Sequence, residues 1–254
     1  MKYLLPLILF ILTFPAVARV ESKRVQDWIL ESIDEMPKEG GYVLSSLSSR
    51  KLRDSFTWKA EDLLVSAHLA VPSYCTTATY IVFYKTLEKY WAFSRQKPAK
   101  LVLEKLKPKM ENDGTRIWGR WNSNGPGTAK FFFDARIGKN FEDISLARPG
   151  DFLKIFWNTE VGKLEKGHSV IYLGQETRNG VPMIRFWGSS LSTYGYSERV
   201  IARSEAKRLL FSRLDTPEHF ERLAQLPDVD PFLASMLTRV SSWDELKAVS
   251  GIKQ

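Results

Sequence analysis

Pro72-Ser73-Tyr74-Cys75-Thr76-Thr77-Ala78-Thr79-Tyr80-Ile81-Val82 is the stretch around which the chain is organised, and it holds the only cysteine among 254 residues. A Pro-Ser-Tyr turn precedes Cys75, and the run that follows can be helical. This arrangement predicts a sulfur at a helix N-terminus, where unpaired amides and the helix dipole favour an anion and make a thiol a better nucleophile. A lone cysteine is more often a small buried hydrophobic residue, so catalysis requires a partner base elsewhere in the chain.

The first eighteen residues predict export. The chain is apolar from Leu4 to Val17, and Ala16-Val17-Ala18 offers the small residues of a signal-peptide cleavage site. A membrane anchor is the alternative, but this run is shorter than the roughly 20 residues that a spanning helix needs, and Pro6 and Pro15 interrupt it. We therefore expect residues 1–18 to be removed, leaving a periplasmic or extracellular protein with no membrane anchor.

Composition indicates a folded domain with a basic surface. Hydrophobic residues make up 44% of the chain and include eight Trp and fifteen Phe, which is enough for a substantial core. One cysteine allows no internal disulfide, so this core must hold the exported protein together. The net charge of +8 suits anionic partners such as cell-wall polymers. No basic run or zinc-knuckle spacing indicates nucleic-acid binding, and we expect a monomer.

The pattern of apolar residues predicts an α+β fold with an antiparallel sheet, and Cys75 can meet a base on this sheet if the Cys-bearing helix packs across it. An N-terminal helical region (19–71) precedes a core (72–203) and a C-terminal helical extension (204–254). Helices are predicted over Val20–Met36, Trp58–Leu69, the run after Cys75, and Lys97–Met110. Strands are predicted over Phe152–Trp157, Ser169–Leu173, Met183–Trp187 and Tyr196–Ala202, with a hairpin turn at Asn179-Gly180.

The segment from Ile117 to Gly127 has two interpretations. Its tryptophans, asparagines and glycines are typical of an ordered loop. The indoles can be buried in a structural turn, or they can form the rim of a groove for amide or sugar ligands. In the second interpretation the substrate-binding residues are Trp118, Trp121, Asn122 and Asn124, together with Trp187 at the end of the third strand.

The candidate base is His168. It follows Gly167 and opens an apolar strand, so its ring can be held rigidly at a groove, as a general base near neutral pH requires. No other metal-ligating side chain stands at short spacing to it, so we expect neither a metal nor an organic cofactor. A third residue from the neighbouring strand would orient the imidazole. Ser189 and Ser190 are the candidates, and the strand register decides which of them points inward.

These elements together resemble the NlpC-type cell-wall cysteine peptidases and their CHAP amidase relatives. The resemblance rests on a Cys at a helix start, on Pro149-Gly150-Asp151 before an apolar strand, and on Gly167-His168-Ser169-Val170-Ile171-Tyr172-Leu173-Gly174. It implies a reduced papain-like fold with Cys75 as nucleophile, His168 as base and Ser189 or Ser190 as third residue. It also implies that Tyr74 and the Cys75 amide stabilise the oxyanion.

The predicted function is therefore an exported cysteine hydrolase that cleaves an amide bond in peptidoglycan or its peptide fragments. Cys75 would attack the carbonyl and form an acyl-enzyme, which water activated by His168 would release. Two alternatives remain open at this point. One is a non-catalytic cell-wall-binding protein that uses the same groove, and the other is a papain-like thiol enzyme that transfers an acyl group to or from a lipid.

Overall fold

A computed structural model describes residues 25–122 and 124–252 of the chain. Its α-helices are α1 (25–34), α2 (Ser46–Asp54), α3 (Cys75–Ser94), α4 (Lys100–Leu106), α5 (Arg116–Trp121), α6 (Gly127–Ala135), α7 (Pro231–Ser235) and α8 (Trp243–Val249). Its strands are β1 (Glu39–Gly40), β2 (Phe56–Lys59), β3 (Asp62–Val65), β4 (Gly138–Phe141), β5 (Phe152–Phe156), β6 (Val161–Gly162), β7 (Gly167–Arg178), β8 (Val181–Ser190), β9 (Gly195–Ala202), β10 (Arg208–Leu214) and β11 (Val240–Ser241). Short 3-10 segments lie at Ala67–Leu69, Ile144–Leu146, Leu191–Thr193, Arg203–Glu205 and Pro217–Gln225.

An antiparallel sheet with strand order β1-β9-β8-β7-β5-β10-β4 forms the centre of the fold. Its middle is the predicted meander, in which β5, β7, β8 and β9 pair in succession. The turn between β7 and β8 places Asn179 at φ 49° and Gly180 at φ 78°, as a two-residue turn with two positive φ angles requires. The predicted hairpin turn at Asn179-Gly180 is confirmed.

Helix α3 lies across one face of this sheet, which we call the α3 face. It contacts β7 and β8, and 14 of its 20 residues are buried, as the predicted central helix requires. Ile171 and Trp187 extend from the sheet into the core that α3 shares. Val170 and Tyr172 belong to a second apolar cluster on the opposite side, which we call the outer face. The α+β architecture with a large antiparallel sheet is therefore as predicted.

Three predicted elements differ from the structure. Residues 58–69 form the β2–β3 hairpin and a 3-10 turn instead of an amphipathic helix, because Ala60 turns the chain at φ 54°. The segment 117–127, predicted as a loop, begins with helix α5. The predicted helix Lys97–Met110 is shorter, and its apolar side is buried in the core.

The predicted division at residue 203 also differs from the structure. Strand β10 lies between β5 and β4, inside the sheet, so the sheet continues into the segment that was predicted to be a helical extension. Ile29 from the N-terminal region and Leu223 from the C-terminal region join the core that contains α3. One core thus spans all three predicted regions. The predicted signal peptide at 1–18 lies outside the described residues.

The Pro149-Gly150-Asp151 turn fixes the start of β5. The Asp151 carboxylate accepts hydrogen bonds from Arg213 Nε and Nη2 at 2.8 and 2.7 Å and from the Arg148 amide at 2.7 Å. The Asp151 carbonyl accepts from the Tyr172 amide on β7. This buried pair therefore ties together β5, β7 and β10, the strands that carry one wall of the site described below.

Within residues 25–122 and 124–252, no helix combines the length and the apolar character needed to cross a bilayer.

Candidate thiol site

Cys75 begins α3, and Tyr74 caps the helix in an extended conformation at φ −142°. The sulfur is buried against the sheet, with 8% of the residue exposed. The backbone amide of Ser169 on β7 lies close enough to the sulfur to lower the pKa of the thiol, and Cys75 in turn raises the pKa of the Tyr42 hydroxyl. The helix N-terminus, a strand amide and a phenol thus converge on one sulfur atom.

The surroundings of Cys75 act on its protonation in two directions. Burial is the largest effect and raises the pKa of the thiol. The Ser169 amide, the Lys154 ammonium and the amides of Thr76 and Cys75 act in the opposite direction and lower this pKa. Burial also raises the pKa of Tyr42, with a further contribution from Cys75, so this phenol remains a hydrogen-bond donor. The thiol is neutral at rest, and the groups around it are those that stabilise an anion.

Lys154 and Glu165 supply fixed charge to this site. Lys154 extends from β5 and forms a 2.6 Å ion pair with Glu165, whose side chain is 1% exposed. The other Glu165 oxygen accepts from the amides of Gly125 and Gly162 at 2.6 and 3.2 Å. A Cβ at Gly167 would lie 2.6 Å from Lys154 Cε, so glycine is needed where this pair crosses β7. The Lys154 ammonium is therefore held in a fixed position by its ion pair with the anchored Glu165 carboxylate.

Asp113 joins this cluster from the loop before α5. Burial raises the pKa of its carboxyl to about 7, with Lys154 lowering it and Glu165 raising it further. Asp113 and Cys75 both raise the pKa of Tyr74, after the larger effect of burial. We call Tyr42, Cys75, Asp113, Lys154 and Glu165 the thiol cluster. Asp113 is the member whose carboxyl changes its protonation near neutral pH.

His168 does not belong to the thiol cluster. It pairs with Ile155 across the β5–β7 ladder and points to the outer face. There its ring stacks on Trp157 at 6.2 Å between centroids and meets the edge of Phe186 at 6.1 Å. Burial lowers its pKa to about 3, helped by Arg199 and Lys154. Its Nε2 atom is buried without a partner in the described part of the chain.

The predicted pairing of Cys75 with His168 is therefore corrected. Side chains alternate between the two faces along a strand, so neighbouring residues cannot both point to the same helix. On β7 the residue beside the sulfur is Ser169, in the same alternation as Ile171. His168 falls on the other face.

The two candidate third residues are also placed away from the imidazole. The Ser189 hydroxyl is fully buried and shares a 2.7 Å hydrogen bond with Ser73, two residues before Cys75. The Ser190 hydroxyl shares hydrogen bonds with Ser192 and Thr193. In the described residues neither hydroxyl is bonded to His168, so the predicted orienting role has no partner here. Ser189 instead secures the turn that leads into α3.

The tryptophans predicted to line a substrate groove are core residues. Trp118 and Trp121 are each 1% exposed and pack against Tyr80 of α3 at 5.3 and 5.5 Å between centroids. Trp187 is 5% exposed and stacks on Tyr196 at an interplanar angle of 5°. The indoles of segment 117–127 are therefore buried, as the first interpretation expected, but Trp118 and Trp121 lie in helix α5 and not in a turn.

The two predicted asparagines remain at the edge of the thiol cluster. Asn122 is partly exposed and accepts a 2.8 Å hydrogen bond from the hydroxyl of Thr76, next to Cys75. Asn124 is also partly exposed and donates to the carbonyl of Gly162 at 3.4 Å. Of the predicted substrate contacts, these two are partly exposed, and Asn122 contacts the residue next to Cys75.

Sequence reasoning missed Tyr42, Asp113, Lys154 and Glu165. Only Lys154 carries a local signal, because it is the single charge within the otherwise apolar strand Phe152–Trp157. A charge in a buried strand requires a partner, and that partner is Glu165. Tyr42 and Asp113 reach the site from loops, and no pattern near them indicates this.

Comparison with family models, with curated proteins and with solved structures returned no match for this chain. Within the described residues, no group of three or more His, Cys, Asp or Glu side chains is arranged to hold a metal ion.

Proposed function

We propose that this protein is an exported thiol hydrolase of papain-like architecture that cleaves amide bonds in the peptides of peptidoglycan. The observation that carries the proposal is the convergence on Cys75 of a helix N-terminus, the Ser169 amide, the Tyr42 hydroxyl and the Lys154 charge. An inert buried cysteine needs none of these groups, whereas a thiolate needs several of them. The predicted signal peptide and the resemblance to cell-wall peptidases support the substrate class.

The chemistry follows from the thiol cluster, with Asp113 in the role first assigned to His168. Asp113 shares Tyr74 and Lys154 with Cys75 as neighbours, and we propose that its carboxylate takes up the thiol proton, because its pKa of about 7 suits a base at neutral pH. The sulfur attacks the amide carbonyl, the C–N bond breaks, and the leaving amine takes up the proton. Water then attacks the thioester, which releases a carboxylate and restores the thiol. Lys154 stabilises negative charge on sulfur before attack and after release.

The test compares digestion of purified peptidoglycan by the wild-type protein and by Cys75→Ala, with new free amines counted by mass spectrometry. We expect new amines with the wild type and none with Cys75→Ala. His168→Leu is the matched control and should retain activity, because the imidazole points to the outer face. Identical products from the wild type and Cys75→Ala would refute the hydrolase.

A non-catalytic cell-wall-binding protein is the second candidate, and the net upward shift of the Cys75 pKa favours it. In that case the thiol would resist alkylation by iodoacetamide at pH 7 in the folded protein. Binding to sedimented peptidoglycan would then be the same for the wild type and Cys75→Ala. Rapid alkylation that is slowed in Asp113→Asn would instead support the hydrolase.

A further inference from the structure

A pocket of about 270 Å³ lies between helix α3, strand β3 and helix α4. Its walls are largely apolar and include Leu63 and Leu64 of β3, Ala92 of α3 and Leu103 of α4. We call it the α3–β3 pocket. Its volume is close to the lower end of the range for small-molecule sites, and no member of the thiol cluster lines it.

One stripe of α3 supplies polar groups to this pocket. Tyr84, Glu88 and Trp91 are separated by four and then three residues, a spacing that places them on the same side of the helix as direct neighbours. The Tyr84 hydroxyl is already engaged, because it donates a 2.5 Å hydrogen bond to the Leu63 carbonyl. The Glu88 carboxylate and the Trp91 indole nitrogen are the groups left to a ligand.

The Glu88 carboxylate has no cation within ion-pair distance in the described part of the chain. Lys85 and Lys89, which lie on the same helix, pair with Glu35 instead. Glu88 is nevertheless partly buried, and a partly buried carboxylate without a partner is unfavourable. An ammonium group bound in the pocket would supply the missing charge.

Asp62 adds a second negative charge from the opposite wall. Asp62 and Glu88 both raise the pKa of Tyr84, after the larger effect of burial, so both carboxylates act on the same hydroxyl. Among the described residues that line the pocket, Lys97 is the one cation, and it forms a 2.8 Å ion pair with Glu61. Two carboxylates remain once this pair is subtracted, and this excess favours a cationic ligand.

Trp91 contributes an unused hydrogen-bond donor. The residue is 8% exposed, and its ring meets the edges of Tyr84 and Phe220 at 5.9 and 5.3 Å between centroids. Its Nε1 atom is buried and has no acceptor among the described residues. Buried polar groups are normally hydrogen-bonded, so an oxygen atom of a bound molecule would satisfy this N–H group.

We propose that the α3–β3 pocket binds a small amine that carries an oxygen acceptor on a short alkyl stem, as amino alcohols do. The ammonium pairs with Glu88 in the field of Asp62, and the oxygen accepts from Trp91 Nε1. The stem lies against the leucines of β3 and α4. This site requires no thiol chemistry, so it is independent of the proposed hydrolase.

The experiment compares three probes of similar size by NMR titration of the ¹⁵N-labelled full chain. The probes are 5-amino-1-pentanol, pentylamine, which lacks the oxygen, and 1-pentanol, which lacks the charge. The signal followed is the indole N–H of Trp91, assigned by its loss in Trp91→Phe. We expect 5-amino-1-pentanol to shift this signal and to bind about tenfold more tightly than 1-pentanol.

Glu88→Gln keeps the size of the side chain and removes its charge. We expect it to weaken binding of 5-amino-1-pentanol by about tenfold. Glu104→Gln is the matched control and should leave binding unchanged, because Glu104 is exposed on α4 and does not line the pocket. Trp91→Phe should weaken binding of 5-amino-1-pentanol by about threefold and leave pentylamine unaffected.

The pH dependence gives a separate measurement on the wild type. Burial raises the pKa of Glu88 to about 7. If only the ionised carboxylate binds the ammonium, affinity should rise by about tenfold between pH 6 and pH 8, and Glu88→Gln should lose this rise. The other charged groups that act on Glu88 or on the pocket, and that are unchanged in this variant, are Glu35, Glu61, Asp62, Lys85, Lys89 and Lys97.

Three results would overturn the proposal. The first is equal affinity of the wild type for 5-amino-1-pentanol and 1-pentanol, or no response to either. The second is unchanged affinity for 5-amino-1-pentanol in Glu88→Gln. The third is an equal loss for 5-amino-1-pentanol and pentylamine in Trp91→Phe, which would exclude the contact between the oxygen and the indole.

Discussion

His168 and Ser169 are neighbours on β7, and their surroundings differ in kind. On the α3 face the Ser169 amide and the Lys154 ammonium lower the pKa of the Cys75 thiol, and the Tyr42 phenol lies within range of the same sulfur. On the outer face the His168 ring lies between Trp157 and Phe186 with one ring nitrogen unpartnered in the described residues. Polar and charged groups surround Cys75 on the α3 face, whereas aromatic rings surround His168 on the outer face. The strand alternation that separates them leaves no route for a direct proton transfer between sulfur and imidazole.

The largest expected effect concerns the buried ion pair of Asp151 with Arg213. Asp151→Ala leaves Arg213, which is 4% exposed, without its carboxylate. We expect the free energy of unfolding to fall by about 3–5 kcal/mol, measured by urea denaturation. Lys139→Ala breaks a more exposed pair with Asp215 and should cost less than about 1 kcal/mol. Equal losses in the two variants would show that the buried pair has no special weight.

The next prediction concerns the contribution of His168 to the free energy of unfolding at acidic pH. Its pKa of about 3 in the folded protein lies below the ordinary value of 6.5, so only the unfolded chain binds a proton between these two pH values. Stability should therefore fall on acidification through this range, by up to about 1.4 kcal/mol per pH unit from this group. His168→Leu should lose less stability than the wild type between pH 6.5 and 4.5 in urea denaturation. If the free energy of unfolding changes equally with pH in the two proteins, the His168 imidazole is in contact with water and the prediction is wrong.

The next prediction tests whether the Lys154 ammonium lowers the pKa of Cys75 on the α3 face. Lys154→Met removes the ammonium that lowers the pKa of Cys75, so this pKa should rise. We expect alkylation by iodoacetamide at pH 7 to slow by about tenfold, which corresponds to one pH unit of thiolate population. Lys154→Arg keeps the charge and is the control. A rate in Lys154→Met equal to that of the wild type would mean that Lys154 serves only to neutralise Glu165.

The smallest expected effect concerns Tyr42. Tyr42→Phe removes the hydroxyl whose pKa Cys75 raises, and with it a hydrogen-bond donor for the thiolate, and leaves the ring in place. Loss of one such bond to an anion should raise the thiol pKa slightly and slow alkylation at pH 7 by about threefold. The pH profile of alkylation is the measurement. Tyr196→Phe is the control, because its hydroxyl bonds to the carbonyl of Ala70 instead; a comparable slowing in both variants would remove the specific role of Tyr42.

Local patterns sufficed for much of the sheet and for the central helix. The apolar runs and the Asn179-Gly180 pair correctly predicted the β5–β7–β8–β9 meander, and the Pro-Ser-Tyr turn correctly predicted that α3 begins at Cys75. Residues 58–69 show the limit of such patterns, since apolar residues at Leu63 and Leu64 fit either a helix or a hairpin. The hairpin forms because Ala60 adopts a left-handed turn and β2 pairs with β3.

The candidate site was much harder to predict than the fold. His168 was correctly predicted to lie at the start of a strand. The face of the sheet to which its side chain points could not be predicted, because a change of one residue in strand register moves a side chain from one face to the other. The tryptophans predicted to line a groove show the same limit. An indole in a Gly- and Asn-rich segment can be a ligand contact or a core residue, and only the structure shows that these are buried. Asp113 and Tyr42 could not be identified at all, since both reach the thiol cluster only through long-range packing.

By itself the sequence determined that one thiol starts a buried helix, that an antiparallel meander follows, and that the chain carries an excess of positive charge. These properties follow from neighbouring residues, whose turns, periodicity and composition act locally. Only the tertiary structure decided which side chains share a face with the sulfur. The reason is geometric: each strand presents alternate residues to opposite sides, so a single step of register selects Ser169 with Lys154 beside Cys75 and turns His168 away.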